Sequence, residues 1–285
     1  LFYFVFFLNV ISGGILETLQ QIAKNVRVGI IKSTTAAGSG HPGGSLSAAD
    51  ILTVLYFKEL NVDPKKPYDE DRDRFVLSKG HSAPALYSVL AEKGYFGRED
   101  LLTLRKIGSD FQGHPDMHRV KGVDMTTGSL GQGISAAIGM ALGKKLDKSK
   151  ARIYALLGDG EIQEGIVWEA FMSAAHYKLD NLCVIIDHNG LQIDGKNSEV
   201  MNIMPLDDKL EAFGFNVINI NGHSFDDILS AFEKARECKG RPSAIIANTV
   251  KGKGVSFMEN EVSWHGKSCN AEEEKIALAE IGGSW

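Results

Sequence analysis

Apolar residues recur at helical spacing in the first part of the chain. The positions from Ile15 to Ile30 repeat every three or four residues, which predicts an amphipathic helix. We expect this helix to end at the break Gly38-Ser39-Gly40. A second helix is predicted over residues 46–60, because Ser45 directly before it is a favourable N-cap.

Short apolar runs and helical patterns alternate along the rest of the chain. The runs predict buried strands over residues 75–77, 152–157, 182–187, 215–220 and 244–249. Helical patterns lie at residues 83–93, 134–146, 161–176 and 225–238. This alternation predicts an α/β fold, a doubly wound and mostly parallel sheet with helices on both faces and right-handed crossovers. No repeat or Pro- or Ser-rich linker interrupts it, so we expect one domain over residues 15–285.

Residues 1–14 form an atypical apolar segment. The first eleven residues, LFYFVFFLNVI, are too few for a bilayer span of about 20 residues, and no Lys or Arg precedes them. Because the sequence has no initiator Met, we favour a misread or cloning-derived start. A buried or partner-covered segment and a membrane or signal element are the alternatives.

Composition and charge narrow the class of protein. Hydrophobic residues at 44% and charged residues at 24% of the 285 residues exclude collagen-like, disordered and multi-span membrane classes. The net charge of −5 and the lack of a dense Lys/Arg cluster argue against a nucleic-acid partner. The three cysteines form no CxxC pair, and there is no glycosylation sequon, so we expect a cytoplasmic protein.

Each predicted strand is followed by a turn that contains glycine, histidine or both. The carboxyl ends of parallel strands meet at one edge of an open sheet, and ligands bind there. We therefore expect the candidate site at that edge. The turns lie at residues 78–81, 158–160, 188–190, 221–223 and 251–254.

Oxygen donors in two of these turns suggest a metal site. Asp159 lies between Gly158 and Gly160, and Asn189 follows one helix and one strand later. With a free carbonyl, for example that of Leu191, they form a set of hard oxygen ligands. Such a set suits Mg²⁺ or Ca²⁺ and leaves coordination positions for phosphate oxygens.

A glycine-rich stretch at residues 126–133 precedes the predicted helix 134–146. Glycines at a helix N-terminus expose backbone N–H groups and favour anions. A nicotinamide fingerprint is not matched, since Gln163 stands where its last glycine is needed. A P-loop is not matched either, since Glu261 replaces its first glycine.

Four histidines stand beside glycine in predicted loops. A neutral imidazole can donate to, accept from or relay a proton with hydroxyls and phosphates. His223 is different, because it precedes the capping pair Ser224 and Asp227, and we expect it to be structural. The four candidates are His41, His81, His114 and His265.

Taken together, the motifs resemble one known family. The strings are SGHPGGSLSAADILTVLY, SKGHSAPALYSVL, GHPD, TTGSLGQGIS, LGDGEIQEGIVWEA, DHNGLQIDG, TVKGKGVSFMEN and SWHG. Over Glu17 to Trp285 the chain resembles the N-terminal, diphosphate-binding half of transketolase. The resemblance implies the thiamine-diphosphate-binding fold and transfer of a two-carbon ketol unit from a ketose phosphate to an aldose phosphate. It also implies thiamine diphosphate and Mg²⁺ as cofactors, with Ca²⁺ or Mn²⁺ as alternatives.

The resemblance also implies roles for individual residues. The implied metal ligands are Asp159, Asn189 and the carbonyl of Leu191. The implied cofactor contacts are His81, Gly128, Ser129, Leu130, Gly160, Asn189 and His265. The implied catalytic residues, which line the channel to the thiazolium, are His41, His114 and His265. Glu164 resembles a glutamate that communicates across the dimer, with an exposed helical charge as the alternative.

The resemblance further implies a partner. The family's pyrimidine-binding and C-terminal domains have no counterpart in this sequence, so we expect a companion subunit that carries them, an α2β2 assembly and no turnover by the chain alone. We expect sugar phosphates as substrates and neither nucleic acid nor a membrane as a partner. The alternatives are half of another thiamine-diphosphate enzyme, such as 1-deoxyxylulose-5-phosphate synthase or a specialised transketolase, and a non-catalytic cofactor-binding regulatory subunit.

Overall fold

The computed structural model describes the backbone of residues 2–283 and 285 and the side chains of residues 14–283 and 285. The helices are α1 (Phe2–Ala37), α2 (Pro42–Val54), α3 (Ala83–Lys93), α4 (Gln132–Leu146), α5 (Gly165–His176), α6 (Asn197–Val200), α7 (Leu206–Ala212), α8 (Phe225–Glu237) and α9 (Ala271–Ile281). The strands are β1 (Arg74–Leu77), β2 (Ile153–Gly158), β3 (Leu182–His188), β4 (Leu191–Gln192), β5 (Gly195–Lys196), β6 (Asn216–Asn221) and β7 (Ser243–Asn248). Our expectation for the apolar segment 1–14 concerns side chains that, apart from Gly14, lie outside the described residues.

Five strands form one sheet in the order β1-β2-β3-β7-β6, and every neighbouring pair is parallel. β4 and β5 form a separate antiparallel hairpin. The register pairs Gly158 with Asp187 and His188 with Asn248. The carboxyl ends of β2, β3 and β7 therefore lie side by side at the same edge of the sheet. The predicted parallel α/β fold is confirmed.

Helices cover both faces of this sheet. Successive rows of paired strand residues point to opposite faces, as a pleated sheet requires. Side chains on one face share a hydrophobic core with α1, α2, α3 and α8, and those on the other share a core with α4, α5 and α7. Burial on both faces explains why the strands appear in the sequence as continuous apolar runs. Two adjacent rows are Leu77-Leu156-Ile185-Ile245 on the first face and Val76-Ala155-Val184-Ala244 on the second.

Three predicted helix starts are wrong. α1 begins at Phe2 rather than at residue 15. α2 begins at Pro42 rather than at residue 46, with His41 in the N-cap position and proline in the first turn, where its missing N–H costs nothing. Ser45 lies inside the helix, and its hydroxyl donates to the His41 carbonyl at 2.7 Å. α5 begins at Gly165 rather than at residue 161, because residues 160–163 form a 3-10 turn.

Arg27, Asp50 and His223 form a largely buried cluster that joins α1, α2 and the turn after β6. The Arg27 guanidinium donates to both Asp50 carboxylate oxygens, at 2.8 and 2.6 Å, and His223 Nδ1 lies 2.8 Å from Oδ2. Burial alone would raise the pKa of Asp50, but the Arg27 charge and the hydrogen bonds from His223 and Arg27 hold it at about 2. The expected structural role of His223 agrees with this position, and Ser224 also caps α8 as predicted.

We expect Asp50→Asn to lower the free energy of unfolding by about 3–5 kcal/mol at pH 7, because it leaves the Arg27 charge unpaired. The folded pKa of about 2 lies below the ordinary 3.8, so the carboxylate stabilises fully above about pH 4 and loses its effect as pH falls towards 2. Urea denaturation from pH 7 to pH 3 should show the difference from wild type shrinking below pH 4. A difference independent of pH would contradict this, and exposed Asp71→Asn is the matched control.

Candidate active site

The carboxyl ends of β1, β2 and β3 and the segment after β7 open onto one cavity of about 360 Å³. Four of the five predicted turns contribute to its lining. The turn at residues 221–223 does not, because His223 belongs to the cluster with Arg27 and Asp50. The lining includes Gly44, Lys79, His81, Gly128, Leu130, Gly158, Asp159, Gly160, Glu161, Gln163, Glu164, Asn189, Leu191, Gln192, Ile193, Lys251 and His265.

Asp159 links two of the turns at one end of the cavity. Its Oδ1 accepts from the Gly160 N–H at 2.8 Å, and its Oδ2 accepts from the Gly190 N–H at 2.5 Å. In the second turn the Asn189 side-chain oxygen accepts from the Leu191 N–H at 3.1 Å. The three expected metal ligands therefore lie on two turns that the Asp159 carboxylate holds together.

The Asp159 carboxylate suits a divalent cation. It is 1% exposed, and burial together with the nearby Asp187 raises its pKa. Among the residues that the structure describes, no Lys or Arg forms an ion pair with it, and no three His, Cys, Asp or Glu side chains converge as a metal site. A metal at this end would therefore depend on amide and main-chain oxygens beside Asp159, as hard cations allow.

Gly128 and Leu130, just before the start of α4, form a second wall of the cavity, whereas Ser129 between them lines a neighbouring pocket. Gly131, directly before α4, has φ +80°, a conformation that favours glycine. The first turn of α4, which follows it, has backbone N–H groups without partners inside the helix. The buried Glu161 carboxylate ties this wall to the strand ends. It accepts from Ser78 Oγ at 2.5 Å, the Gly131 N–H at 2.8 Å and the Gly158 N–H at 3.0 Å.

Three of the four candidate histidines form a cluster. The ring centroids of His41, His81 and His265 lie 5.2 to 5.4 Å apart, and the rings of His81 and His265 are stacked. His41 Nδ1 is buried and has no hydrogen-bond partner in the described part of the chain, and His41 lies behind His81 and His265, which line the cavity, rather than in the lining itself. His114 stands apart, in a neighbouring pocket of about 440 Å³ that it shares with Ser129.

His114 nevertheless lies against the cavity wall. A Cβ added at Gly128, whose φ is +157°, would come within 3.1 Å of the His114 ring, so glycine allows the close approach. Tyr87 Oη donates to the His114 carbonyl at 3.1 Å and fixes the main chain there.

The histidines near the cavity share a lowered pKa. Burial, assisted by the charges of Arg105 and of other groups nearby, lowers the pKa of His41 to about 4. Burial and Lys251 lower that of His265 to about 3. The pKa values of His81 and His114 are also lowered, chiefly by burial. All four rings are therefore neutral at pH 7 and able to exchange hydrogen bonds with hydroxyls in either direction.

Two buried lysines lie in the cavity lining, although neither was predicted from the sequence as a site residue. Lys79 Nζ lies 2.5 Å from the Asp187 carboxylate and donates to the Gly44 carbonyl at 2.9 Å. Lys251 Nζ lies 3.0 Å from His265 Nδ1, and burial together with Lys79 lowers its pKa to about 8. Their position directly after strands, inside the SKGH and TVKGKG strings, was the available signal.

Glu164 lines the cavity and is solvent-exposed. It occupies the N-cap position of α5 and not a position inside the helix. Its exposure agrees with the alternative of an exposed charge, although the residue lies at the start of the helix rather than within it.

Comparison with known proteins identifies relatives of the chain. The family model described as "Transketolase, thiamine diphosphate binding domain" matches residues 18–283. The chain is 48% identical over 263 residues to the 6-deoxy-6-sulfo-D-fructose transketolase subunit SqwG of Clostridium sp. (strain MSTE9), covering 92% of this chain and 96% of that protein. It is 43% identical over 265 residues to one of the subunits of the apulose-4-phosphate transketolase of Phocaeicola vulgatus, and the match covers 93% of this chain and 94% of that subunit.

A solved structure shows the same fold. The transketolase from Campylobacter jejuni superposes with a TM-score of 0.90 at 38% identity, and the match covers 94% of this chain and 43% of that one. The chain thus spans less than half the length of that solved enzyme but nearly all of the two subunits. Within the described part of the chain, no helix combines the length and apolar character needed to cross a membrane.

Proposed function

Because this chain belongs to the transketolase family, we propose that it supplies the diphosphate-binding part of an enzyme that transfers a two-carbon ketol unit from a ketose phosphate to an aldose phosphate. The observation that carries the proposal is the single cavity in which Asp159, Asn189 and Leu191 face the same space as His81 and His265. Residues 15–285 form the domain in this proposal, and the protein acts in the cytoplasm.

In this proposal the cofactors are thiamine diphosphate and a divalent metal, Mg²⁺ with Ca²⁺ or Mn²⁺ as alternatives. Asp159, Asn189 and the Leu191 carbonyl hold the metal, because these hard oxygens include a buried carboxylate without a cationic partner among the described residues. Gly160 and the N–H groups at residues 128–130 hold the diphosphate, assisted by the start of α4. Thiamine diphosphate supplies the carbanion chemistry when it is bound.

The neutral histidines act on the sugar. His41 and His265 bind substrate hydroxyls and move protons at those oxygens, a role that needs an imidazole neutral at pH 7. His81 contacts the cofactor beside them, and Lys251 orients His265 through its Nδ1. His114, with Ser129, closes the neighbouring wall. The alternative of a catalytically silent module is disfavoured, because these groups are all present and close together.

A companion subunit completes the active site in this proposal. Two relatives of similar length are named as transketolase subunits, which supports a second chain. In this proposal the second chain carries the pyrimidine-binding and C-terminal domains, and the two chains form an α2β2 assembly. Apolar side chains at the cavity mouth support it as well, since Ile193 is 63% and Leu130 36% exposed. Met201, whose carbonyl accepts from Gln163, is also exposed. A companion seated at the cavity mouth would remove these apolar side chains from water.

The two subunits named above supply a second candidate, a specialised reaction. Their names refer to transketolases of 6-deoxy-6-sulfo-D-fructose and of apulose 4-phosphate. The second candidate function is therefore ketol transfer from a donor of such a class, with the same cavity and cofactors.

We expect Asp159→Asn to weaken Mg²⁺-dependent binding of thiamine diphosphate by about 100-fold or more, because even groups that only orient a metal ligand contribute about 10- to 100-fold. Isothermal titration calorimetry with Mg²⁺ present measures the affinity. Asp194→Asn, an exposed carboxylate in the hairpin close by, should bind as wild type. Equal binding by the Asp159 variant would refute the metal assignment.

Activity should require both chains. The purified chain mixed with its companion should transfer a ketol unit from a ketose phosphate to an aldose phosphate, and the chain alone should not, because in this proposal the companion supplies the pyrimidine-binding part of the active site. A coupled assay that includes 6-deoxy-6-sulfo-D-fructose and apulose 4-phosphate as donors distinguishes the two candidate functions. Robust turnover by the chain alone would overturn the need for a companion.

Ile193→Asp should raise the dissociation constant for the companion at least about tenfold, as loss of a well-buried apolar contact does at an interface. Sedimentation velocity measures the association. Leu146→Asp is the control, because Leu146 is 81% exposed but lies at the far end of α4, roughly 20 Å from the cavity wall. If both substitutions have the same effect, the companion does not bind at the cavity mouth.

A further inference from the structure

Residues 249–254 carry Lys251 to the cavity, and their main chain is held by groups outside the cavity. The Val250 N–H donates to His223 Nε2 at 2.8 Å. Arg27 Nε donates to the Lys253 carbonyl at 3.1 Å, and the Gly252 N–H donates to the Gly43 carbonyl at 2.9 Å. The segment is therefore anchored on both sides of Lys251.

His223 is the link between this segment and Asp50. Because Nε2 accepts the Val250 N–H, it carries no proton, so Nδ1 carries the proton and donates to Asp50 Oδ2 at 2.8 Å. Asp50 is fixed in turn by the two hydrogen bonds from Arg27. The imidazole thus has one orientation, with a separate partner on each nitrogen.

The anchored segment has little freedom to adjust. Gly252 has φ +78°, and a Cβ there would lie 2.3 Å from the Met258 carbonyl oxygen. The Asn260 N–H donates to the Lys251 carbonyl at 2.9 Å. A displacement of Val250 therefore moves the neighbouring Lys251, whose Nζ lies 3.0 Å from His265 Nδ1.

We propose that His223 is a positioning residue of the active site: by joining Asp50 to the Val250 N–H, it holds Lys251 against His265. The consequence for catalysis rests on the proposed function, but the positioning itself does not. His223 touches neither the cavity nor its expected ligands, and it acts only through residues 250 and 251.

Two substitutions test the hydrogen bonds of the two imidazole nitrogens one at a time. In His223→Asn the shorter amide reaches the place of Nδ1 and keeps the donor to Asp50, but it offers nothing to Val250. In His223→Gln the longer amide reaches the place of Nε2 and keeps an acceptor for Val250, but it loses the donor to Asp50. The two variants are matched controls for each other.

Each variant loses one buried hydrogen bond, so we expect a similar fall in Tm for both but different effects on residues 249–254. His223→Asn should lower the Tm by about 2–4 °C and raise amide hydrogen exchange in residues 249–254 at least about tenfold, since the lost bond is the one that anchors Val250. With the companion present, its kcat should fall about 10- to 100-fold, the scale of a misplacement of roughly 1 Å. His223→Gln should lower the Tm by about 2–4 °C, as expected for loss of one buried hydrogen bond in a chain of this size, and keep both exchange and kcat near wild type.

A merely structural role predicts similar exchange and similar kcat in the two variants, because both lose one buried hydrogen bond, and that result would overturn the inference. Unchanged exchange in His223→Asn would also overturn it. Hydrogen exchange needs no active enzyme, so an absence of ketol transfer by the wild-type pair would refute the proposed function and leave the exchange result to decide on the positioning.

Discussion

A buried ion pair between Lys79 and Asp187 holds the active-site edge of the sheet together. Lys79 follows β1 and Asp187 lies in β3, so the pair passes across the end of β2 at Gly158. The Lys79 side chain is 1% exposed and the Asp187 side chain is 0% exposed. Ser47 of α2 and Thr249 after β7 also donate to the Asp187 carboxylate. A buried pair is stable only while it is complete, because a lone buried charge costs several kcal/mol. Four elements are thereby fixed in relation to one another.

This arrangement divides the charges of the cavity. The Asp187 charge is compensated by Lys79, whereas Asp159, in the neighbouring strand end, has no Lys or Arg paired with it among the described residues. Lys251, which lines the same cavity, contacts the cluster of neutral imidazoles through His265. The cavity thus combines a carboxylate that suits a divalent cation with imidazoles that suit hydroxyls. Both properties come from side chains that strand ends and turns bring together from distant parts of the sequence.

The sequence predicted the sheet and the convergence of the turns because both follow from short-range signals. Continuous apolar runs indicate strands buried on both faces, and parallel strands end at one edge. The start of helix α5 was wrongly predicted at Glu161. The Glu161 carboxylate instead accepts hydrogen bonds from Ser78 and Gly131, which are distant in sequence, and the helix begins at Gly165. Lys79 and Lys251 were missed because lysine after a strand usually lies in solvent. Their burial depends on partners, such as Asp187, that only the fold brings near.

The central claim is that Asp159, Asn189 and the Leu191 carbonyl hold the metal that binds the diphosphate. A crystal structure of the protein with thiamine diphosphate and Mn²⁺, with anomalous scattering used to locate the ion, tests it most directly. The account predicts one strong anomalous peak in contact with these three oxygens, with the diphosphate beside residues 128–130. A peak elsewhere in the cavity, or a diphosphate bound without contact to Asp159 and Asn189, would contradict it.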